Sequence, residues 1–152
     1  MADYETYEVR VFNNGDNYWW QNGKRHRTDG PAIECATGDK SWWQNGNLHR
    51  TDGPAVERSD GSKEWWYDDK LHRTDGPAAE YSDGHKEWYL HGVRHRTDGP
   101  AVEFADGHKE WWIDGVKHTE EEFKKKINSC EGKTVTVDGK EYRLIDTHIN
   151  KW

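Results

Sequence analysis

The sequence predicts a mostly β protein: an elongated, twisted meander of antiparallel β-hairpins, closed by a short C-terminal helix and a final hairpin. Three observations predict it. The heptapeptide HRTDGPA opens at His26, His49, His72 and His95, 23 residues apart each time. Trp19, Trp42, Trp65, Trp88 and Trp111 keep the same period, as do Gly15, Gly38, Gly61, Gly84 and Gly107. Each period also holds two turn signals, one of type Asn-Gly, Asp-Asp, His-Gly or Asp-Gly after the Trp pair and one of type Thr-Gly or Asp-Gly before the next. Self-similarity at such a period marks a repeat architecture, and paired turn signals between short runs mark hairpins.

Composition bounds the fold further. The chain has 152 residues and a net charge of -7, with Leu, Ile, Val and Phe together numbering only 20. Such a balance by itself suggests disorder. The 10 Trp, 7 Tyr and 3 Phe argue otherwise, because each ring can bury roughly 150–250 Å² and the rings are periodic. No apolar run reaches the ~18 residues of a membrane span, and MADYETYEV lacks the apolar stretch of a secretory signal. Cys35 and Cys130 have no metal-ligand spacing and read as free thiols in a reducing compartment, so a cytoplasmic location is expected. The acidic balance argues against a non-specific nucleic-acid or membrane surface.

Taken in order, the elements are these. Residues 4–18 form a half unit carrying only a second strand and an Asn-Gly turn. Full units begin at Trp19, Trp42, Trp65 and Trp88, and a partial unit begins at Trp111. The array fills residues 1–118 and a cap fills 119–152. Thr119 with Glu122 is a capping box, and EEEFKKKIN places acids first and lysines last, as the helix dipole prefers; a helix is predicted over about 119–129. GKTVTVDGKEYRLI predicts a hairpin about Asp138-Gly139.

Strand alternation assigns faces. Glu64, Trp66 and Asp68 share one side of a strand; Lys63, Trp65 and Tyr67 share the other. Leu90 and Ile113 occupy the Tyr67 place, so the first Trp column is expected on the core side, together with Pro54, Val56 and Arg58. Ala55 and Glu57 are then expected beside the second column, Trp20, Trp43, Trp66, Tyr89 and Trp112.

The pattern WWQNGKRH, followed by DG and a second Gly turn, resembles MORN-type repeats, which carry W-x-N-G-K-x-x-G-x-G and build β-hairpin sheets. The variant with NGK.HR.DGPA.EY.DG.K.W is similar to tandem proteins of bacteriophages and large viruses, and a related form occurs in bacterial proteins labelled antitoxins. The resemblance covers about residues 4–112 and implies architecture. The His-Arg-Thr-Asp stretch departs from the MORN glycines, so lipid binding is not implied.

Four groups of residues are candidates for chemistry. In HRTDGPA, Arg27, Arg50, Arg73 and Arg96 can pair with Asp29, Asp52, Asp75 and Asp98 or with Glu34, Glu57, Glu80 and Glu103, which makes the motif stitching. Alternatively these arginines, with His26, His49, His72 and His95, hold an anion. The second aromatic column is either covered by Arg and Lys stems or presented to a partner. His85, His91, His95 and His108 cluster in two units. Equivalent positions lie about 10 Å apart, too far for one zinc with bonds of about 2.0–2.1 Å, so no metal and no cofactor is expected. Catalysis needs unlike roles in one site, and here every repeated acid and His is copied. The expected function is non-enzymatic binding of a host or viral protein through the second column and the variable positions Arg25, Leu48, Leu71 and Arg94. A sponge for a small anionic or planar ligand is the rival, and a homo-oligomer paired through an open sheet edge is a third reading.

Overall fold

A computed structural model describes residues 6–128, 134–137 and 140–143. The chain runs β1 (Glu8–Val11), β2 (Asn17–Gln21), β3 (Lys24–Arg25), β4 (Ile33–Glu34), β5 (Lys40–Ser41), β6 (Trp43–Gln44), β7 (Asn47–Leu48) and β8 (Val56–Glu57). It continues through β9 (Lys63–Glu64), β10 (Trp66–Tyr67), β11 (Lys70–Leu71), β12 (Ala79–Glu80), β13 (Lys86–Glu87), β14 (Tyr89–Leu90), β15 (Val93–Arg94) and β16 (Val102–Glu103). It closes with β17 (Lys109–Ile113), β18 (Val116–His118), α1 (Glu120–Ile127), β19 (Thr134–Val137) and β20 (Lys140–Arg143).

All strand pairs are antiparallel. The main sheet runs β1-β2-β4-β5-β8-β9-β12-β13-β16-β17-β18, and the short hairpins β6-β7, β10-β11 and β14-β15 form a second track beside it. One Trp per unit joins the tracks. Trp42 donates its N–H to Ala55 O (2.8 Å), in the main ladder, while its carbonyl accepts from His49 N–H (3.1 Å), in the hairpin ladder. Trp65 and Trp88 repeat this geometry. Neighbouring hairpins are tied as well: Arg50 N–H donates to Trp66 O (3.2 Å) and Gly92 N–H to Leu71 O (2.9 Å).

The two turns of a unit differ in kind. After the Trp pair both central residues have positive φ, as in Asn45 (52°) and Gly46 (91°), which is the type I′ turn expected for Asn-Gly. Before the next Trp only the glycine does, as in Gly61 (92°). There Gly61 N–H donates to Arg58 O and Arg58 N–H to Ser62 O, so the loop holds three residues and a glycine bulge.

That extra residue corrects the expected faces. A two-residue turn at Asp60-Gly61 would set Val56 opposite Trp65; the bulge sets Val56 opposite Glu64. A shift of one residue exchanges the faces of a strand. Val56, Ala79 and Val102 therefore lie on the side of the second aromatic column. Ala55 sits in the ladder between Trp42 and Trp65, on the side of the first.

Neither Trp column is a buried core. Both are half-buried along their length. The fully buried positions are small: Ala32, Ala55, Ala78, Ala79, Ala101 and Val102. Every described Trp of the first column has an alanine at its ladder neighbour, which leaves room for the indole.

The cap forms as expected. Thr119 caps α1 with both bonds of the capping box, and Phe123 is the buried residue of the helix. α1 packs against β17 and β18, where Ile113 is also buried. β19 and β20 pair as a hairpin; the Asp138-Gly139 turn and Cys130 lie outside the described residues. No helix among the described residues is long and apolar enough to cross a membrane.

Candidate functional site

The repeated motif closes on itself. Arg73 Nε donates to Asp75 Oδ1 (2.8 Å), and its Nη1 donates to Pro77 O (3.2 Å) and Glu80 Oε1 (3.0 Å). The guanidinium carbon lies 3.9 Å from the centroid of Trp65. Arg27, Arg50 and Arg96 repeat every one of these contacts, over Trp19, Trp42 and Trp88 at 4.2, 4.0 and 4.0 Å. The other side of the guanidinium rests on the motif glycine. A Cβ on Gly76 would stand 2.9 Å from Arg73 Cζ, so the sequence keeps glycine where the arginine must lie flat. The paired acids are both used, where the sequence left Asp and Glu as alternatives. The bond from Arg73 pulls the Asp75 pKa below the usual carboxylate range.

The histidine serves the next unit. His26 Nδ1 accepts from Asn45 N–H (3.0 Å) and His72 Nδ1 from His91 N–H (3.1 Å). His95 Nδ1 accepts from Asp114 N–H (3.1 Å), and His49 Nδ1 lies 2.8 Å from Asp68 Oδ1. In each case the partner is the first left-handed residue of the following hairpin turn; for His26, His72 and His95 the ring accepts from a backbone donor that would otherwise lack an acceptor, whereas His49 meets the Asp68 carboxylate. The His72 and His91 rings are 4.3 Å apart. Burial, and then the His91 charge, push the His72 pKa below its ordinary value. The eight His and Arg predicted as anion contacts are thus engaged inside the chain.

The second aromatic column is built differently. Trp20, Trp43, Trp66, Tyr89 and Trp112 alternate across the hairpin track with Arg25, Leu48, Leu71, Arg94 and Lys117, their register partners. Arg25 lies over Trp20 and Trp43 (5.5 and 5.1 Å), and Arg94 over Tyr89 and Trp112 (5.8 and 5.3 Å). The row therefore has cationic ends and an apolar centre at Leu48 and Leu71.

Acids under the rings fix their polar atoms, a role that alternation alone did not reveal. Trp66 Nε1 donates to Glu64 Oε2 (2.9 Å), Trp112 Nε1 to Glu110 Oε2 (2.9 Å) and Tyr89 OH to Glu87 Oε2 (2.7 Å). Trp43 Nε1 finds Ser41 Oγ (2.7 Å). Each acid also meets a cation: Arg94 for Glu87 and Lys117 for Glu110 from the same repeat position, and Arg58 for Glu64 from another, where Leu71 takes that place. Burial opposes ionisation of Glu87, but bonds from His85 and Tyr89 and the Arg94 charge outweigh it and lower its pKa. Burial, then Glu87, raises that of Tyr89. In the first unit Tyr18 stands in the acid's place, and both Trp20 Nε1 and Arg25 Nε are buried without an acceptor.

His85 packs between Tyr81 and Phe104 and lies 2.8 Å from Glu87 Oε1. Among the described residues, no group of three or more His, Cys, Asp and Glu side chains is arranged to hold a metal ion. Cys35 is a free, half-buried thiol. Burial, then Asp16 and Asp39, raise its pKa.

An open hollow of about 330 Å³ lies at the centre of the row, lined by Trp66, Leu71, Lys70, Asp69, His91 and Gly92. No family model matches the chain, and no curated protein matches it.

Proposed function

We propose that this chain is a non-enzymatic binding module that offers the second aromatic row to a protein partner. The observation that supports this reading is the hollow lined by Trp66 and Leu71, at the apolar centre of a row in which Trp66, Tyr89 and Trp112 are oriented from beneath by acids. Rings held at one end by hydrogen bonds are pre-organised, and binding them loses little side-chain freedom. Aromatic anchors in such a setting dominate interfaces. The motif arginines and histidines, in contrast, commit their Nε, Nη1 and Nδ1 atoms to bonds inside the chain. In the viral setting that the repeat pattern suggests, the partner belongs to the host.

The test is capture of the partner by the parent chain and by two variants. Leu71→Glu places a charge at the hollow and lowers recovery about tenfold or more, equivalent to roughly 1.4 kcal/mol. Thr74→Ala, at an exposed motif position, leaves recovery unchanged. Equal recovery by the parent and Leu71→Glu would contradict the proposal.

One observation favours a small anionic ligand instead: the two donors without acceptors at Trp20 and Arg25. A carboxylate or phosphate there raises the melting temperature, since saturation at 100 Kd adds ~2.7 kcal/mol. Unchanged melting with acetate, phosphate and nucleotides at millimolar concentration removes this reading.

A further inference from the structure

We propose that β1 is a self-recognition edge, through which two copies of this chain pair antiparallel about Val9. β1 is the outermost strand of the main sheet. Its pairing with β2 sets Val9 opposite Trp19 and Arg10 opposite Tyr18. Trp19 N–H donates the other way, to Ala32 O, and Phe12 N–H donates back to Asp16 O. Hydrogen-bonded pairs alternate in an antiparallel ladder, so Glu8 and Arg10 bond β2 through their backbones. The N–H and C=O groups of Val9 and Val11 point away from the sheet, which is the template of an unpaired edge.

Side chains along this edge fit a second copy. Val9, Val11 and Phe12 are 48%, 72% and 45% exposed, an apolar run where exposed aliphatics are few among the described residues. A two-fold axis through Val9 sets Val9 against its own copy, where the two exchange both backbone bonds. It sets Glu8 directly against Arg10 of the other chain, and Arg10 against Glu8. These fall at the non-hydrogen-bonded positions, where side chains approach most closely. Both are more than half exposed, and within one chain Arg10 Nε meets Glu8 Oε1 at 2.7 Å while its guanidinium lies 5.0 Å from the Trp20 ring, so pairing exchanges the two internal ion pairs, one in each chain, for two across the interface.

The opposite end of the array differs, because α1 packs against β17 and β18. Unlike ends favour a closed, isologous pair over head-to-tail growth. A two-fold axis perpendicular to the sheet keeps like faces together, so the second aromatic rows of both copies lie on one side. Four residues per strand bury far less than the ~800 Å² per partner of a stable complex, so the dimer is weak, with Kd between about 1 µM and 1 mM.

Sedimentation velocity of the full chain from about 10 µM to about 1 mM tests this. The mass is expected to rise from monomer to dimer and stop there. Val9→Pro removes an N–H that faces away from β2, a change edge strands tolerate, and is expected to abolish the rise with an unchanged circular dichroism spectrum. Glu8→Arg weakens association about tenfold or more, and Glu8→Arg with Arg10→Glu restores it. A chain monomeric throughout, an open-ended polymer, or a dimer indifferent to the charge exchange overturns the proposal. Should Val9→Pro fail to fold, the charge exchange decides alone.

Discussion

At the scale of the residue, the motif arginine combines three contacts that single-sequence reasoning treats as alternatives. It stacks on its Trp, ties its Asp and reaches its Glu. Arg73→Ala removes all of them and is expected to cost roughly 2–3 kcal/mol in urea unfolding. Arg73→Lys is expected to recover less than half of that, because a point charge cannot fill the planar fork. Tyr18 gives a second residue-scale prediction. Tyr18→Glu supplies the carboxylate that Glu64, Glu87 and Glu110 supply elsewhere, and should exceed Tyr18→Gln in stability by about 1 kcal/mol at neutral pH. Identity of the letters H, R, D and E between units made their shared structural role legible. The partners were not legible: that His72 reaches His91 N–H, 19 residues on, follows from hairpin stacking that no local pattern carries.

At the scale of the element, turns decide which side chains share a face. The I′ turns were legible because Asn-Gly and Asp-Gly name three of them, and the 23-residue period carries the same place to Asp68-Asp69 and His91-Gly92. The bulged turns carry the same Asp-Gly signature at Asp60-Gly61, Asp83-Gly84 and Asp106-Gly107, and only backbone angles separate the two kinds. Alternation places Val56, and with it the supposed core, on the side of the first Trp column; the extra loop residue puts Val56 on the other face. In these loops Asp60 Oδ1 accepts from Ser62 N–H and Asp83 Oδ1 from His85 N–H, which gives the aspartate a reason apart from a I′ turn. The helix was legible in full, since Thr119 and Glu122 act within one turn. Its contribution to the array is testable: Phe123→Ala is expected to destabilise by about 3 kcal/mol, through loss of a buried ring and the cavity it leaves. A loss under about 1 kcal/mol would mean that α1 does not seal the sheet.

At the scale of the whole molecule, each unit leans on its neighbours, so stability follows the number of units rather than a central core. Removal of one full period, residues 65–87, is expected to leave a folded chain with a lower melting temperature. Removal of 20 residues from the same place breaks the ladder register and should unfold it. Titration acts on the whole array too. The His72 pKa is depressed, so its contribution is present above the unfolded value near 6.5 and is lost as pH falls below it. The depressed Asp75, Glu87 and Glu110 add a second loss below their ordinary values of 3.8 to 4.5. Cys35 and Tyr89 are raised, so their contributions hold below their ordinary values of 9.0 and 10.0 and are lost as pH rises beyond them. Melting temperature should therefore be highest between about pH 6.5 and about pH 9, and His72→Asn, which keeps an acceptor but does not titrate, should flatten the decline between about pH 6.5 and 5. HRTDGPA acts as a lock repeated down the array, and the Arg Nε–H signals in a proton–nitrogen correlation spectrum report on each lock in turn. Separate, slowly exchanging signals are expected for Arg27, Arg50, Arg73 and Arg96, shifted by the Trp rings, with Trp65→Leu collapsing that of Arg73. One averaged, solvent-exchanged peak for all four would contradict it.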